Sequence, residues 1–281
     1  MEGGPLAERI RGEVAGEVRE LGEVGLATVQ AGEDEASTIY LRLKHKAAAE
    51  VEIDSVDHKL PHAIGEDELL EIVAELNADD RIDGILVQLP LPDHVDEARV
   101  LAAVDPIKDV DGFHPFNAGQ LYLGRPTHVP ATPLGVMALL AEYRIPLDGA
   151  RAVVVGRSTI VGKPVAHLLL QEDSTVTICH SHTQDLARHT LDADVLVVAA
   201  GVPEIVTADM VKAGAAVVDV GINRTDAGIV GDVDPDVARE AAFLTPVPGG
   251  VGPMTIAMLL SNTVRAARFR RGLLAFPGFQ R

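Results

Sequence analysis

The stretch RAVVVGRSTIVGKP, residues 151–164, decides the fold of the second half of the chain. Its first part is an uninterrupted run of β-branched residues, which is typical of a parallel strand buried on both faces. Gly156 permits a tight turn after that strand, and a helix is predicted over 162–171. Alternating strands and helices continue beyond it, which predicts parallel strands joined by right-handed crossovers. We therefore expect an α/β protein with a Rossmann-like, doubly wound parallel sheet in its C-terminal domain.

The other predicted elements keep the same alternation. In the second half they are strands at 174–179, 193–201 and 215–221, a helix near 207–213, a short strand near 243–247 and a final helix near 253–271. In the first half they are helices at 5–21, 36–50 (which Ser37 could cap), 66–77, 94–103 and 132–143, and strands at 25–30, 51–60 and 84–92. The pattern changes near residue 150.

Composition narrows the class of protein. With 281 residues the chain can form two domains or one large α/β domain, and 47% apolar residues exclude a disordered chain. The net charge of −18 repels nucleic acid and anionic membranes, so neither is an expected partner. The one cysteine, Cys179, cannot form an intrachain disulfide, and no apolar run suits a signal peptide or a membrane span. We therefore expect a cytoplasmic protein.

Gly156 and Gly162 lie at the first strand–helix turn of the second half. The amide groups at the start of the following helix could hold an anionic phosphate. The spacing of the two glycines differs from the usual G-x-G-x-x-G motif, and an ordinary strand–turn–helix would look the same. The position in a doubly wound unit favours a nucleotide site.

The kind of nucleotide is predicted from charge. An NAD site usually has an acidic residue at the end of its second strand, which accepts hydrogen bonds from ribose hydroxyls. Here that strand is followed by His180, Ser181 and His182. Arg157 could pair with a 2′-phosphate, and Ser181 and His182 could donate to it, which favours NADP. A zinc site on Cys179 and the two histidines is the alternative, but a distant further ligand is missing, so we predict no metal.

Tyr40 and Lys44 are one helical turn apart in STIYLRLKHKAAAE (37–50), so both project from one helix face. An amine beside a phenol in a cleft suits acid–base chemistry, although an amphipathic helix with an extended surface lysine explains the same pattern. Gln88 interrupts the apolar strand GILVQLPLP (84–92). A polar side chain there needs either a ligand or a bond to a neighbouring loop.

Two loops contain residue types that suit ligand binding. In KDVDGFHP (108–115) Asp111 could accept hydrogen bonds from an amino-pyrimidine edge, with an Asx-turn as the alternative. The loop TPVPGGVGPMT (245–255) follows a strand end, where ligands bind in such sheets. Its glycines would let the backbone approach a flat ligand.

The motifs occur in a fixed order: YLRLKHKAA, GILVQLPLP, KDVDGFHPFNAGQL, TPLG, GRSTIVGKP, VTICHSHT, DVGINR, GDV and TPVPGGVGPMTIAMLLSNT. With this order, over about residues 5–270, the chain closely resembles the bifunctional methylenetetrahydrofolate dehydrogenase/methenyltetrahydrofolate cyclohydrolase (FolD) family. The resemblance implies that the chain oxidises 5,10-methylenetetrahydrofolate with NADP and hydrolyses the methenyl product to 10-formyltetrahydrofolate.

The resemblance also implies a role for each matching residue. Lys44 would be the acid/base group of the hydrolysis, and Gln88 would tune it. Tyr40 would stack on or orient the folate, and Asp111 would hold the pterin. The implied NADP site comprises Gly156, Arg157, Ser158, Ser181, His182 and Ile222, and the implied substrate cleft is lined by Pro248, Gly249, Gly250 and Val251.

The family architecture implies two domains, 1–130 plus 255–281 and 131–254, with the last helix returning to the first domain. It further implies a homodimer and a folate substrate that can carry a polyglutamate tail. Two residues depart from the family pattern. Ala131 stands where many relatives have Cys, so a thiol contribution is missing. His182 stands where relatives often have Arg or Lys. This replacement weakens the binding of a 2′-phosphate and leaves NAD use open.

Two other functions compete with this hypothesis. Another two-domain dehydrogenase, acting on a shikimate-like acid or an amino acid, explains the nucleotide motifs but not Tyr40, Lys44, Gln88 and Asp111 together. A catalytically dead, cofactor-binding regulatory protein is the second rival, and an intact Lys44 argues against it.

Overall fold

A computed structural model describes residues 1–32, 35–226 and 228–277, except for the side chains of residues 35–37. The predicted cap, the side chain of Ser37, lies outside the described residues. The chain divides into two compact units. The N-terminal unit contains Arg9–Ala131 and the chain from Ile256 onward, and the C-terminal unit contains Met1–Glu8 and Thr132–Thr255. The predicted domain bounds differ from these units mainly at residues 1–8.

The N-terminal unit is built on a parallel sheet with the strand order β2-β1-β3. Its strands are β1 (Gly25–Ala31), β2 (Asp54–Leu60) and β3 (Gly84–Val87). Its helices are α2 (Glu35–Glu50), α3 (Glu66–Ala78), α4 (Glu97–Ala103), α5 (Pro115–Tyr122), most of α1 (Gly4–Leu21) and most of α9 (Val251–Arg270).

Two apolar cores cover the two faces of this sheet, because side chains alternate along a strand. Leu26 and Leu86 belong to a core that α1, α2 and α9 complete. Val29 and Val87 belong to the other core, with α3 and α4. The packing of α9 in the first core confirms that the last helix returns to the first domain.

The C-terminal unit contains the expected doubly wound sheet. Its strands are all parallel in the order β10-β7-β6-β4-β5. They are β4 (Arg151–Val155), β5 (Thr175–Cys179), β6 (Val195–Val198), β7 (Ala216–Asp219) and β10 (Phe243–Leu244). The unit also contains α6 (Ala131–Glu142, from Thr132), α7 (Gly162–Gln171), α8 (Leu186–Thr190) and a hairpin of β8 (Asn223–Thr225) and β9 (Gly228–Val230). The fold class predicted from the sequence is confirmed.

One predicted element is wrong. The helix expected near 207–213 is only a short 3₁₀ turn, Ala208–Met210. Val211 leaves helical geometry, with φ −112° and ψ 133°, and buries its side chain in the core of the C-terminal unit. Burial of this apolar side chain therefore outweighs the weak local preference for a helix. Helices α5 and α8 and the β8–β9 hairpin were not predicted, because each is too short to show a clear period.

Strand β3 ends at Val87, earlier than the predicted strand 84–92, so Gln88 stands immediately beyond the strand and not within it. Among the described residues, no helix combines the length and the apolar character that crossing a membrane would require.

Candidate functional site

Lys44 lies in the middle of α2 and is buried, with 8% of its surface exposed. Its Nζ donates a hydrogen bond to Oε1 of Gln88, at 3.2 Å. Gln88 is oriented in turn, because its Nε2 donates to the backbone oxygen of Leu89 at 2.7 Å. The amide oxygen satisfies one N–H group of Lys44 without supplying a negative charge. The structure therefore brings these two predicted site residues into direct contact.

The protonation state of Lys44 depends on its burial. Loss of water contact lowers the pKa of its ammonium group, and the negative charge of Asp111 opposes that shift. An exposed lysine has a pKa of about 10.4, so roughly one in 2,500 is neutral at pH 7. A lowered pKa enlarges this neutral fraction. Lys44 can therefore accept a proton, which an exposed lysine rarely does.

Asp111 is half-buried and interacts with Lys44 through charge. Burial raises the pKa of Asp111 to about 6, the positive charge of Lys44 works against this rise, and Asp109 adds to it. The carboxyl group is therefore mostly ionised at pH 7 and becomes protonated as the pH falls through about 6. In its ionised form it accepts hydrogen bonds from N–H donors, as the sequence predicted.

The loop that carries Asp111 is held by Asp109. Its carboxylate accepts hydrogen bonds from the backbone N–H groups of Phe113 (3.2 Å) and His114 (2.8 Å). Nδ2 of Asn117 donates a third bond at 2.8 Å. Asp109 is 4% exposed, so it acts within the protein and not on a ligand directly. Its contacts fix the turn on which Asp111 stands.

Asn262 of α9 fixes the same loop from another side. Its Nδ2 donates to the backbone oxygen atoms of Val110 (2.7 Å) and Val129 (2.8 Å). The sequence analysis did not single out Asn262 or Asp109 as positioning residues. Their partners are distant along the chain or in an irregular loop, so no periodic pattern marks them.

Tyr40 is half-buried and lies one turn before Lys44 on α2, as predicted. Gln30 is a further polar residue at this end of the sheet, and it is 4% exposed. It follows Val29, whose backbone oxygen accepts from the N–H group of Gln88 at 2.8 Å, so the two glutamines end neighbouring strands. Nε2 of Gln30 donates to Oγ1 of Thr38 at 3.2 Å. A glutamine that closes the apolar strand GLATVQ is the same signal that marked Gln88, and it could have identified Gln30.

In the C-terminal unit, Gly156 turns the chain immediately after β4. Its φ of +128° is rare for residues with a side chain, and a Cβ there would lie 2.1 Å from the backbone oxygen of Ala199. Gly162, the first residue of α7, is equally confined, because a Cβ would lie 2.3 Å from the oxygen of Gly156. Both glycines are therefore required by close backbone packing, which leaves a narrow turn at the carboxyl end of the strand.

The loop between these glycines differs from the expectation in one detail. The side-chain oxygen of Ser158 accepts hydrogen bonds from the backbone N–H groups of Val161 (3.1 Å) and Gly162 (3.2 Å). These N–H groups at the start of α7 are thus already satisfied by the protein. Arg157 and Ser158 are exposed at the loop surface. Anion binding here would therefore rely on Arg157 more than on these two amides.

The side chains just after β4 and β5 are either positively charged or neutral hydrogen-bond donors. Ser181 and His182 are exposed just after β5. Burial, with smaller effects from the charges of Arg157 and His182, lowers the pKa of His180. Strands β4 and β5 are paired, and the N–H group of Gly156 donates to the backbone oxygen of Cys179 at 2.8 Å. Arg157 and His182 therefore follow neighbouring strand ends, and neither residue is acidic. A dinucleotide carrying a 2′-phosphate fits the confined glycine turn and these donors.

Ile222 is 45% exposed just after β7, where an apolar side chain can contact a ligand. Pro248 and Gly249 are exposed in the loop before α9, whereas Gly250 and Val251 are buried. Gly250 is confined by its own loop, since a Cβ would lie 2.7 Å from the backbone oxygen of Pro246. Ala131 is 4% exposed and contributes to a core. In the described parts of the chain, no group of three His, Cys, Asp or Glu side chains could hold a metal ion.

These observations define a two-unit α/β enzyme, with a buried amine in one unit and a dinucleotide-binding sheet in the other. Residues 1–111 match the family model described as the tetrahydrofolate dehydrogenase/cyclohydrolase catalytic domain. Residues 130–271 match the NAD(P)-binding domain of the same enzymes. The chain belongs to the tetrahydrofolate dehydrogenase/cyclohydrolase family, which confirms the resemblance seen in the sequence.

Individual relatives agree with this assignment over nearly their full lengths. The chain is 55% identical over 276 residues to the bifunctional protein FolD of Halothermothrix orenii, covering 96% of this chain and 98% of the relative. The crystal structure of the bifunctional enzyme FolD from Campylobacter jejuni matches with a TM-score of 0.94 and 48% identity, over 96% of this chain and 98% of that one. FolD of Trypanosoma brucei, described as complexed with NADP cofactor and inhibitor, matches with a TM-score of 0.92 and 41% identity, over 98% of each chain.

A shikimate dehydrogenase of Peptoclostridium difficile shares only the fold, with a TM-score of 0.53 at 10% identity. The rival dehydrogenase function is therefore not favoured.

Proposed function

We propose that Lys44, Gln88 and Asp111 carry the hydrolytic reaction of this chain, and that the carboxyl edge of its C-terminal sheet holds the dinucleotide. The chain is a methylenetetrahydrofolate dehydrogenase and methenyltetrahydrofolate cyclohydrolase that uses NADP. The buried contact between Nζ of Lys44 and Gln88 is the observation that supports the assignment of residues most directly.

In the oxidation step, the main task of the protein is to orient the bound substrate. In 5,10-methylenetetrahydrofolate the one-carbon unit lies between two nitrogens, whose lone pairs stabilise the cation that remains when a hydride leaves. Bound NADP supplies the acceptor for that hydride. The protein then has to hold the folate still, and Asp111 would do so by accepting hydrogen bonds from the amino-pyrimidine edge of the pterin. Tyr40, on the same helix face as Lys44, would orient the ring system.

Hydrolysis of the methenyl cation requires proton transfer. A water molecule forms a bond to the methenyl carbon and loses a proton, and the neutral amine of Lys44 accepts that proton. The Lys44 ammonium then returns that proton to N5 as the carbon–nitrogen bond at N5 breaks. The hydroxyl group on the carbon releases its own proton to solvent and becomes the carbonyl of the formyl group, which remains on N10. Gln88 supports this step because its oxygen orients Lys44 without stabilising the ammonium form as strongly as a carboxylate would.

Replacement of Lys44 tests the hydrolytic assignment. We expect Lys44→Met to slow hydrolysis of methenyltetrahydrofolate by about 100-fold or more, because general acid–base groups contribute 10² to 10⁴. Folate binding and thermal stability should be retained, since methionine fills the same space. The measurement is the loss of methenyl absorbance in the presence of excess substrate.

The matched control is Lys46→Met on the same helix, where the side chain is 74% exposed. It should hydrolyse the substrate at the wild-type rate within about twofold. Wild-type hydrolysis by Lys44→Met would remove this amine from the mechanism.

We assign recognition of the 2′-phosphate of NADP to Arg157, Ser181 and His182. This part of the proposal is supported by the exposed guanidinium beside the glycine turn and by the sequence His-Ser-His-Thr-Gln at 180–184, directly after β5, which contains no acid. His182 stands where the family pattern has Arg or Lys, and this replacement weakens the binding of a 2′-phosphate. Arg157 is therefore the main source of preference for NADP over NAD.

We expect the wild-type enzyme to have a higher kcat/KM with NADP than with NAD. Arg157→Ala should lower kcat/KM with NADP about tenfold and leave the value with NAD within about twofold, because a charge-assisted hydrogen bond contributes about 1.5–3 kcal/mol. Arg151→Ala, at the opposite end of the same strand, is the control and should change neither value. Equal kcat/KM for the two nucleotides in the wild-type enzyme would refute this role of Arg157.

A homodimer is also part of the proposal, and strand β5 supports it. This strand lies at the edge of its sheet and pairs with β4 on one side only among the described residues. Ile178 on the strand is 41% exposed, and Leu170 at the end of the adjacent helix α7 is 58% exposed. An open edge flanked by apolar side chains is suited to pairing with a second copy. The proposal further includes a cytoplasmic location and a folate that can carry a polyglutamate tail, as the family resemblance implies.

Sedimentation equilibrium at micromolar concentration tests the dimer. The wild-type mass should be about twice the chain mass of 29.7 kDa. Ile178→Lys should lower it towards one chain, because it places a charge on the proposed interface. Ile229→Lys, at a residue 45% exposed in the β8–β9 hairpin, should leave the dimer intact. A wild-type mass of one chain would contradict the dimer.

A further inference from the structure

Two carboxylates are buried at the carboxyl edge of the C-terminal sheet. Asp219 is the last residue of β7 and is 4% exposed, and Asp232, shortly after β9, is 0% exposed. Burial of a charged group is costly unless its hydrogen-bonding capacity is satisfied. Burial raises the pKa of Asp219 to about 6, and its backbone N–H donors act against that rise. The reaction described above uses neither residue.

Backbone N–H groups satisfy the carboxylate of Asp219. One oxygen accepts from Gly221 (2.9 Å) and Asp232 (3.0 Å), and the other accepts from Val233 (3.0 Å). This one side chain therefore ties the end of β7 to the segment that follows β9.

Asp232 continues the chain of contacts to the next strand. One of its oxygens accepts from the N–H groups of Ala200 (2.7 Å) and Gly201 (2.8 Å), just after β6. The other accepts from Nδ2 of Asn223 at 2.8 Å. Within the part of the chain that the structure describes, the donors to both carboxylates are neutral amides, so both groups hold backbone geometry and do not neutralise a cation.

Each carboxylate occupies the space that a side chain on the opposite segment would need. A Cβ on Gly221 would lie 2.2 Å from Oδ1 of Asp232, and a Cβ on Gly231 would lie 1.7 Å from Oδ2 of Asp219. These glycines are required for space, which explains why the motifs DVGINR and GDV each combine an aspartate with a glycine. The two segments therefore interlock.

The segments fixed in this way lie where a dinucleotide binds in a doubly wound sheet. Strands β7, β6 and β4 are neighbours, and ligands bind beyond their carboxyl ends. The loop held by Asp232 begins next to Ala199. The Gly156 turn packs against the backbone oxygen of Ala199. The bonds of Asp219 fix Gly221, and Ile222 is the next residue.

We propose that Asp219 and Asp232 are positioning residues for the dinucleotide, which hold the loops after β6 and β7 in the binding conformation before the cofactor arrives. This inference rests on the proposed cofactor role of Gly156, Arg157 and Ile222. The two carboxylates act through the backbone and leave the hydrolytic residues of the other unit untouched. Preorganised loops lose less conformational entropy on binding, so loss of the carboxylates weakens NADP binding.

Asp232→Asn tests the inference directly. An amide side chain keeps the size of the carboxylate but replaces one acceptor oxygen with an NH2 group, which donates, towards groups that are themselves donors. We expect the Kd for NADP, measured by calorimetry, to rise at least tenfold. Hydrolysis of methenyltetrahydrofolate, assayed without NADP, should stay within about twofold of wild type. A purely structural role would lower both together.

The matched control is Asp236→Asn, whose side chain is 59% exposed in the same unit, and it should bind NADP like the wild type. If Asp232→Asn also binds NADP like the wild type, the inference is wrong. Equal losses of hydrolysis and NADP binding would also overturn it. If Arg157→Ala binds NADP normally, the proposed cofactor site itself fails; weakened binding by Arg157→Ala with normal binding by Asp232→Asn rejects only the positioning role.

A measurement on the wild-type enzyme covers the case in which the variant does not fold. The amide protons of Ala200 and Gly201 should exchange slowly with deuterium before NADP is added, and NADP should slow them little further. Rapid exchange that becomes slow only with NADP would show that the cofactor, and not Asp232, orders this loop.

Discussion

The side chain of Lys44 can carry a positive charge, yet it is buried away from water. The proposed catalytic arrangement depends on this burial. An ammonium group in such a place is stabilised less than in water, so its pKa falls. The neighbours of Lys44 limit that fall without reversing it: Gln88 offers a neutral oxygen, and Asp111 offers a charge that itself titrates near pH 6. The N-terminal unit is therefore organised around one amine that can both release and accept a proton.

In both units, residues of the proposed site stand at the carboxyl end of a parallel sheet. In the N-terminal unit, Gln30 and Gln88 stand at the carboxyl ends of neighbouring strands. In the C-terminal unit, the Gly156 turn and the carboxylate of Asp219 do so. Strands β3 (GILV), β6 (VLVV) and most of β4 (RAVVV) are apolar, and polar groups follow where these strands end. Because the proposed site residues stand at strand ends and the core lies within the sheet, each site can be altered without loss of the core.

Much of the fold could be predicted because it rests on local patterns. The apolar run 152–155 and the strand–helix alternation identified the parallel sheet, and the spacing of Tyr40 and Lys44 placed both on α2. The failure at 207–213 has a physical cause: burial of Val211 requires an extended backbone that local composition does not reveal.

The supporting contacts of the site could not be predicted in the same way. Asn262 reaches Val110 across 152 residues of sequence, and Asp232 reaches Ala200 across 32. Such bonds depend on how distant segments meet, and a single sequence shows neither the meeting nor its geometry. Sequence reasoning singled out residues whose chemistry stands out, such as Lys44 and Gln88, but not the residues that hold others in place.

Titration of the lysine side-chain nitrogens by NMR tests the central claim most directly. The chain has lysines only at positions 44, 46, 59, 108, 163 and 212, and the signal absent from Lys44→Met identifies the nitrogen in question. We predict that the Lys44 signal titrates at a pH clearly below the ordinary lysine pKa of about 10.4. If it titrates near that value, Lys44 is not desolvated and cannot serve as the proton acceptor.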